Sequence, residues 1–344
     1  MDLHWLPEEL HPVALRIARA DEQALAFGEL ALHWSRGDGG AGPLTIRQVE
    51  RREGLLDFEV HAVRPVPPAT SMLFSEAINH LRAAIDNALY ALIQKQHGAP
   101  LTTLQARAIA FPIRDDEDAL VGDLQKMTKK GISCVGPDTQ LGKRISALQP
   151  FNDTESKIPA ISPALAMLTG ATDLGHAHPL KLLQAYSNED KHRGIRLSAA
   201  GVMAQEESAP LAASQMKPVQ AGVVLTQVLK GVPALWSTSA AILLQRPDGR
   251  WIPPGPELDQ LTAYVAEVVL PTLVTGFTMP GTPVHIDLGD NNLSDAERVA
   301  AALPERAMAR AQAMFRKAYF EAIQRSPEFP PIISSDELDS SGAE

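Results

Sequence analysis

The stretch "SMLFSEAINHLRAAIDNALYALIQ", residues 71–94, constrains the fold more than any other, because its apolar residues recur at helical spacing around an arginine. At about 100° per residue, Phe74, Ile78, Leu81, Ile85, Leu89 and Leu92 fall in one stripe, with Arg82 inside its edge between Ile78 and Ile93. Asp86, one turn on, is the natural neighbour of Arg82 along the helix, while His80 and Asn87 lie on the far side. A second segment, "HPLKLLQAYSNEDKHR" (178–193), repeats the anomaly with the opposite sign. Leu180, Leu183 and Tyr186 define its apolar arc, and Asp190 falls among them. A buried ion without a partner is too costly to persist, whereas a hydrogen-bonded arginine–carboxylate pair is tolerated. The economical expectation is that these helices face each other and that Arg82 meets Asp190. Asp86, Asn188, Lys191, His192 and Arg193 would then surround the pair.

Such a centre most often fixes helix register. A metal is not expected: His176, His178 and His192 have no regular spacing and no fixed carboxylate partner. No cofactor is expected either, because the chain has no P-loop, dinucleotide glycine fingerprint, G-x-S-x-G or H-E-x-x-H.

The rest of the chain supplies the setting. Its 344 residues, 45% hydrophobic and 21% charged, are ample for a large core. The longest apolar runs, such as "VVLPTLV" (268–274), fall well short of the roughly 18 residues that span a bilayer. The start, "MDLHWLPEELHPV", lacks the pattern of a secretory signal, and the single Cys134 excludes an internal disulfide framework, so a cytoplasmic location is expected. A net charge of -10 argues against sequence-blind attraction to nucleic acid. Basic clusters at 126–130, 142–144 and 191–196 read as solvated faces or phosphate sites.

Periodicity and punctuation predict a helix over 12–36, a β-hairpin about the "EG" turn over roughly 43–66, and the long helix from a cap at Thr70 or Ser71 to Gln96. "AIAFPI" (108–113) reads as a strand, followed by helices over 116–130 and 139–149, the second ending at "LQPF". Beyond 195 the texture turns to β, with "PDG" (247–249) as a turn, then returns to helix at "PELDQLTAYVAEVVLPTLV". "TPVHIDLGD" (282–290) reads as a short strand, and the last helix breaks at Pro304. The expected class is α+β, a helical bundle core with an antiparallel sheet and carboxy-terminal helices. It divides into a mainly helical part (1–194, carrying the hairpin as an insertion), a sheet-plus-helix part (195–326) and a disordered acidic tail (327–344). The stripe Ala307, Met308, Ala311, Phe315, Tyr319 and Ile323 reads as core or as a homodimer surface.

The order "NHLRAAIDNALYAL", "FPI", "LQPF", "NEDKHR" resembles a widespread family of bacterial and phage-borne proteins that brings no established activity. The first of these motifs also resembles the Arg-x4-His element of the HEPN superfamily, many members of which are metal-independent RNases. That likeness implies RNA or a nucleotide as partner, in a defence or mobile-element setting. Arg82 matches the element, but Asn87 stands where its histidine would be, and an amide cannot serve as a general base near neutral pH. The base would have to be His192 or His80, with Arg82 or Arg193 stabilising the phosphate as the RNA's own 2′-hydroxyl attacks.

Overall fold

Proline and glycine set the limits of the longest helix. In a computed structural model, which describes residues 4–36, 42–51, 54–163, 166–167, 171–192, 197–206, 218–231, 236–278 and 281–325, helix α1 is His11–Arg36 and α2 is Pro68–His97. Pro67 and Pro68 open α2 where no N–H is required, and Gly98 closes it in the left-handed conformation at φ 70°. Thr70 and Ser71, expected as caps, sit inside the first turn. Their hydroxyls donate backwards to the carbonyls of Pro67 and Pro68 at 2.6 and 2.8 Å.

Short helices α3 (Thr103–Ala106), α4 (Glu117–Lys129) and α5 (Gln140–Ala147) follow, then α6 (Pro179–His192). Helix α7 (Pro254–Tyr264) runs through a π-helical turn, Val265–Val269, into α8 (Leu270–Thr275). Helices α9 (Asp295–Ala300) and α10 (Ala307–Arg325) are the last among the described residues, separated at Pro304 as expected. The π turn has a local cause. Pro271 has no N–H, and the Leu270 N–H reaches back to Val265 rather than to Ala266, so the Ala266 carbonyl is left open and accepts from Thr282 at 3.2 Å.

Among the described residues, six strands form two antiparallel sheets. β1 (Leu44–Glu50), β2 (Leu55–Val63) and β4 (Val224–Leu229) make one in the order β1-β2-β4. β3 (Leu197–Glu206), β5 (Trp236–Gln245) and β6 (Trp251–Ile252) make the other in the order β3-β5-β6. The expected class, α+β with an antiparallel sheet, therefore holds. The hairpin takes its third strand from beyond residue 195, and Leu55 lies opposite Leu229. Buried residues of α1, α2, α6 and α7 belong to one hydrophobic cluster, so the core runs across residue 194. Two expected strands are absent. Residues 109–114 carry no regular secondary structure and pair with no strand of the described residues, and 282–290 contributes only an isolated bridge between His285 and Leu303. Tail residues 327–344 lie outside the described residues.

The apolar stripe of α10 is partly used inside the molecule. Ala307 is buried, and the Ala311 methyl packs 3.2 Å from where a Cβ on Gly28 of α1 would stand. No helix among the described residues is long and apolar enough to cross a membrane.

Two glycines with opposite surroundings test the packing. A Cβ on Gly142 of α5 would collide with the backbone carbonyl of Gly136, whereas one on Gly122 of α4 would meet nothing within 4 Å. Gly142→Ala should therefore destabilise the fold by about 1–3 kcal/mol or more. Gly122→Ala should raise stability by roughly 0.5–1 kcal/mol. Thermal unfolding of the two variants reads both signs.

Candidate functional site

Among the described residues no strand pairs with Phe111–Arg114, which has no regular secondary structure, and buried polar backbone must find partners. Side chains supply them. On α2, Asp86 Oδ1 accepts from the Phe111 N–H at 2.8 Å, and Arg82 Nη2 donates to the Phe111 carbonyl at 2.7 Å and to Asp86 Oδ1 at 3.1 Å. Pro112 has no N–H to place. Gln149, fully buried just after α5, donates through Nε2 to the Pro112 carbonyl at 3.0 Å and accepts through Oε1 from the Arg114 N–H at 2.9 Å. Phe111 and Ile113 are thereby held with their side chains in the core. Arg82 and Asp86 of "NHLRAAID" and Gln149 of "LQPF" thus meet on the backbone of "FPI" and Arg114.

The expected Arg82–Asp190 pair does not form. Helices α2 and α6 do face each other, with Phe74 and Tyr186 in edge contact at a ring separation of 5.3 Å. One turn further along both helices, however, Asp190 accepts from Asn79 Nδ2 at 2.9 Å. Arg82 lies a turn past Asn79 on α2, and its guanidinium is drawn toward Asp86 and Phe111. Arg82 and Asp86 are also less deeply covered than expected, at 18% and 31% side-chain exposure, and Arg82 Nη1 is buried without a partner.

The other site residues scatter. Asn188, Lys191 and Asn87 are exposed. His80 is half-buried toward α1, where burial and the positive charges of Arg16 and Arg19 hold its imidazole below the usual value. It does not join Arg82. The side chain of His192, and all of Arg193, lie outside the described residues. Of the basic clusters, Arg144 is tied down, donating to the carbonyls of Leu273 and Val274 at 3.0 and 2.6 Å and so closing the end of α8. Among the described residues, no group of three or more His, Cys, Asp or Glu is placed to hold a metal.

The most deeply buried ion pair of the described residues lies elsewhere. Arg246, just past β5, and Glu257, in the first turn of α7, have side-chain exposures of 0% and 2% and meet in a two-pronged contact at 2.9 and 2.6 Å. Arg246 also donates to the carbonyls of Gly175 and Ile158, and the Tyr186 hydroxyl donates to Glu257 at 2.9 Å. Burial pushes Glu257 up, opposed by its bonds to Arg246 and Tyr186, and burial likewise drives the Tyr186 phenol well above its usual value. Sequence reasoning missed this centre although the signal existed. Arg246 continues the inward alternation of Ile242 and Leu244, and Glu257 shares the helical stripe of Leu261 and Tyr264. Asp21 is a third instance. Buried on α1 among Ile17, Ala20 and Ala24, it accepts from the first N–H of α10 at Ala307 and pairs with Arg310, although burial raises its carboxyl.

Comparison of the chain with protein-family models, with curated proteins and with solved structures gives no match.

Removing one partner of the deepest pair leaves an uncompensated charge in the core. Arg246→Met should cost about 3–5 kcal/mol in unfolding free energy. Adding Glu257→Leu to it should recover a large part of that loss in denaturant titrations, at the remaining cost of the Tyr186 hydroxyl's partner.

Proposed function

We propose that this chain is a non-catalytic binding or regulatory protein whose motif residues hold its fold. The observation that carries the reading is the clamp on Phe111–Arg114, in which Arg82, Asp86 and Gln149 are engaged by backbone groups. A guanidinium fixed between a carboxylate one turn away and a peptide carbonyl is poorly free to follow charge that develops on a phosphate. His80 is turned toward α1, and Asn87 offers no base. A cytoplasmic setting belongs to the same proposal, supported by the lone cysteine.

One observation favours the alternative, a HEPN-like metal-independent RNase or nucleotide-binding protein of a defence or mobile-element setting. Arg82 Nη1 is unpartnered, and Asn188 and Lys191 are exposed toward the end of α6, where "NEDKHR" lies. The deciding experiment incubates the full chain with labelled total RNA in EDTA, beside Arg82→Ala and His192→Ala. The expected result is no cleavage by any of the three, together with a stability loss of about 1–3 kcal/mol for Arg82→Ala from the unmet Phe111 carbonyl and Asp86. Cleavage by the unmodified chain that both substitutions abolish would replace this reading with the alternative.

A further inference from the structure

At the start of α6, His178 does the work usually given to a serine or aspartate. Pro179 contributes no N–H, Leu182 donates to the His178 carbonyl at 3.1 Å, and the Leu180 N–H donates to His178 Nδ1 at 3.2 Å. An Nδ1 that accepts a hydrogen bond carries no proton, so the ring's proton is on Nε2. That nitrogen is buried 3.5 Å from Asp153 Oδ2, too long for a good hydrogen bond, and has no closer partner. Asp153 is itself held by the Tyr264 hydroxyl at 2.9 Å and by the Ser156 N–H at 3.1 Å, while the Tyr264 ring meets the imidazole edge-on.

The geometry points to His178 as a proton-operated latch on α6: neutral, it caps the helix, and protonated, it turns a second N–H against the Leu180 N–H and exchanges the cap for an ion pair with Asp153. The sense is fixed by two features of the site. A positive charge is disfavoured at a helix amino terminus, and the ring is only 8% exposed. The charged groups that face the ring are Asp153 from the 150–156 loop, Lys181 on α6 and Asp115 before α4, the last two paired with each other at 2.7 Å. Tyr264 on α7 stays neutral, its phenol raised by burial and by Asp153. Asp153 stays ionised, because its bonds from Ser156 and Tyr264 outweigh the effect of burial and hold it below 3.8.

Burial holds the imidazole below its usual 6.5, with Asp153 pulling the other way. The unfolded chain therefore takes up the proton more readily than the folded one. The stabilisation from the cap is complete above about pH 6.5 and is lost as pH falls from there through the folded value. Further along, helix α6 carries Tyr186 to Glu257 and Asp190 to Asn79.

The test follows the ring nitrogens of His178 and the amide exchange of Leu180 by NMR in the full chain, from about pH 8 to about pH 4.5. Expected are a neutral ring protonated on Nε2, a midpoint below 6.5, and a roughly fivefold loss of Leu180 protection across that midpoint, the size of one lost cap. His178→Asn, whose side-chain oxygen can accept from Leu180 but cannot titrate, should keep the protection and abolish its pH dependence. A neutral ring protonated on Nδ1, protection that stays flat through the titration, or a pH dependence that survives His178→Asn would each overturn the latch.

Discussion

The Phe111 peptide unit depends on Asp86 for its N–H and on Arg82 for its carbonyl, and that arrangement ties α2 to the segment leading into α4. An extended segment inside a domain usually joins a sheet, which satisfies every second backbone group on each side. Residues 109–114 join none. Arg82, Asp86 and Gln149 stand in for the missing strand, letting the chain pass from α2 toward α4 with Phe111 and Ile113 in the core. A hydrogen bond of this kind adds about 1 kcal/mol net, but leaving the buried group unmet costs about 1–3 kcal/mol. The constraint is therefore severe even though each bond is modest.

The same device recurs at larger scale. Arg246 joins β5 to α7 through Glu257 and to the Gly175 and Ile158 carbonyls, and Tyr186 brings α6 to the same point. Asp21 fixes the first turn of α10 to α1. In each case a polar side chain on or beside a regular element reaches from an apolar face to a backbone or ionic group on another element. Helices and strands that share few direct ladders are thereby set in register, a role better attested for buried ionic groups than any net gain in stability.

The broad class was legible in the sequence because it rests on periodicity. The α1 and α2 stripes, the hairpin and the break at Pro304 follow from apolar spacing and from residues that cannot continue an element. The rule that a polar residue on an apolar stripe needs a partner also identified Arg82 and Asp190 as anomalies and placed α2 against α6. It failed at pairing. Position on a helix gives the direction of a side chain but not its depth along the neighbour, and Asn79, one turn earlier, is the residue that reaches Asp190. The partner of Arg82 was a main-chain carbonyl, which has no signature in a sequence. "AIAFPI" resembles a strand for the same reason: its composition suits a buried strand, and composition does not say whether strands or side chains satisfy its backbone. Applied to Arg246, Glu257 and Asp21, the rule would have found the deepest centres as well.

The most direct test is the exchange rate of the Phe111 amide. If side chains replace a sheet here, that amide exchanges slowly in the unmodified chain although no strand flanks it. In Asp86→Ala it should lose protection far more than the amides of α1 or of the middle of α2. A Phe111 amide that exchanges freely in the unmodified chain, or whose protection is the same in Asp86→Ala, would contradict the account.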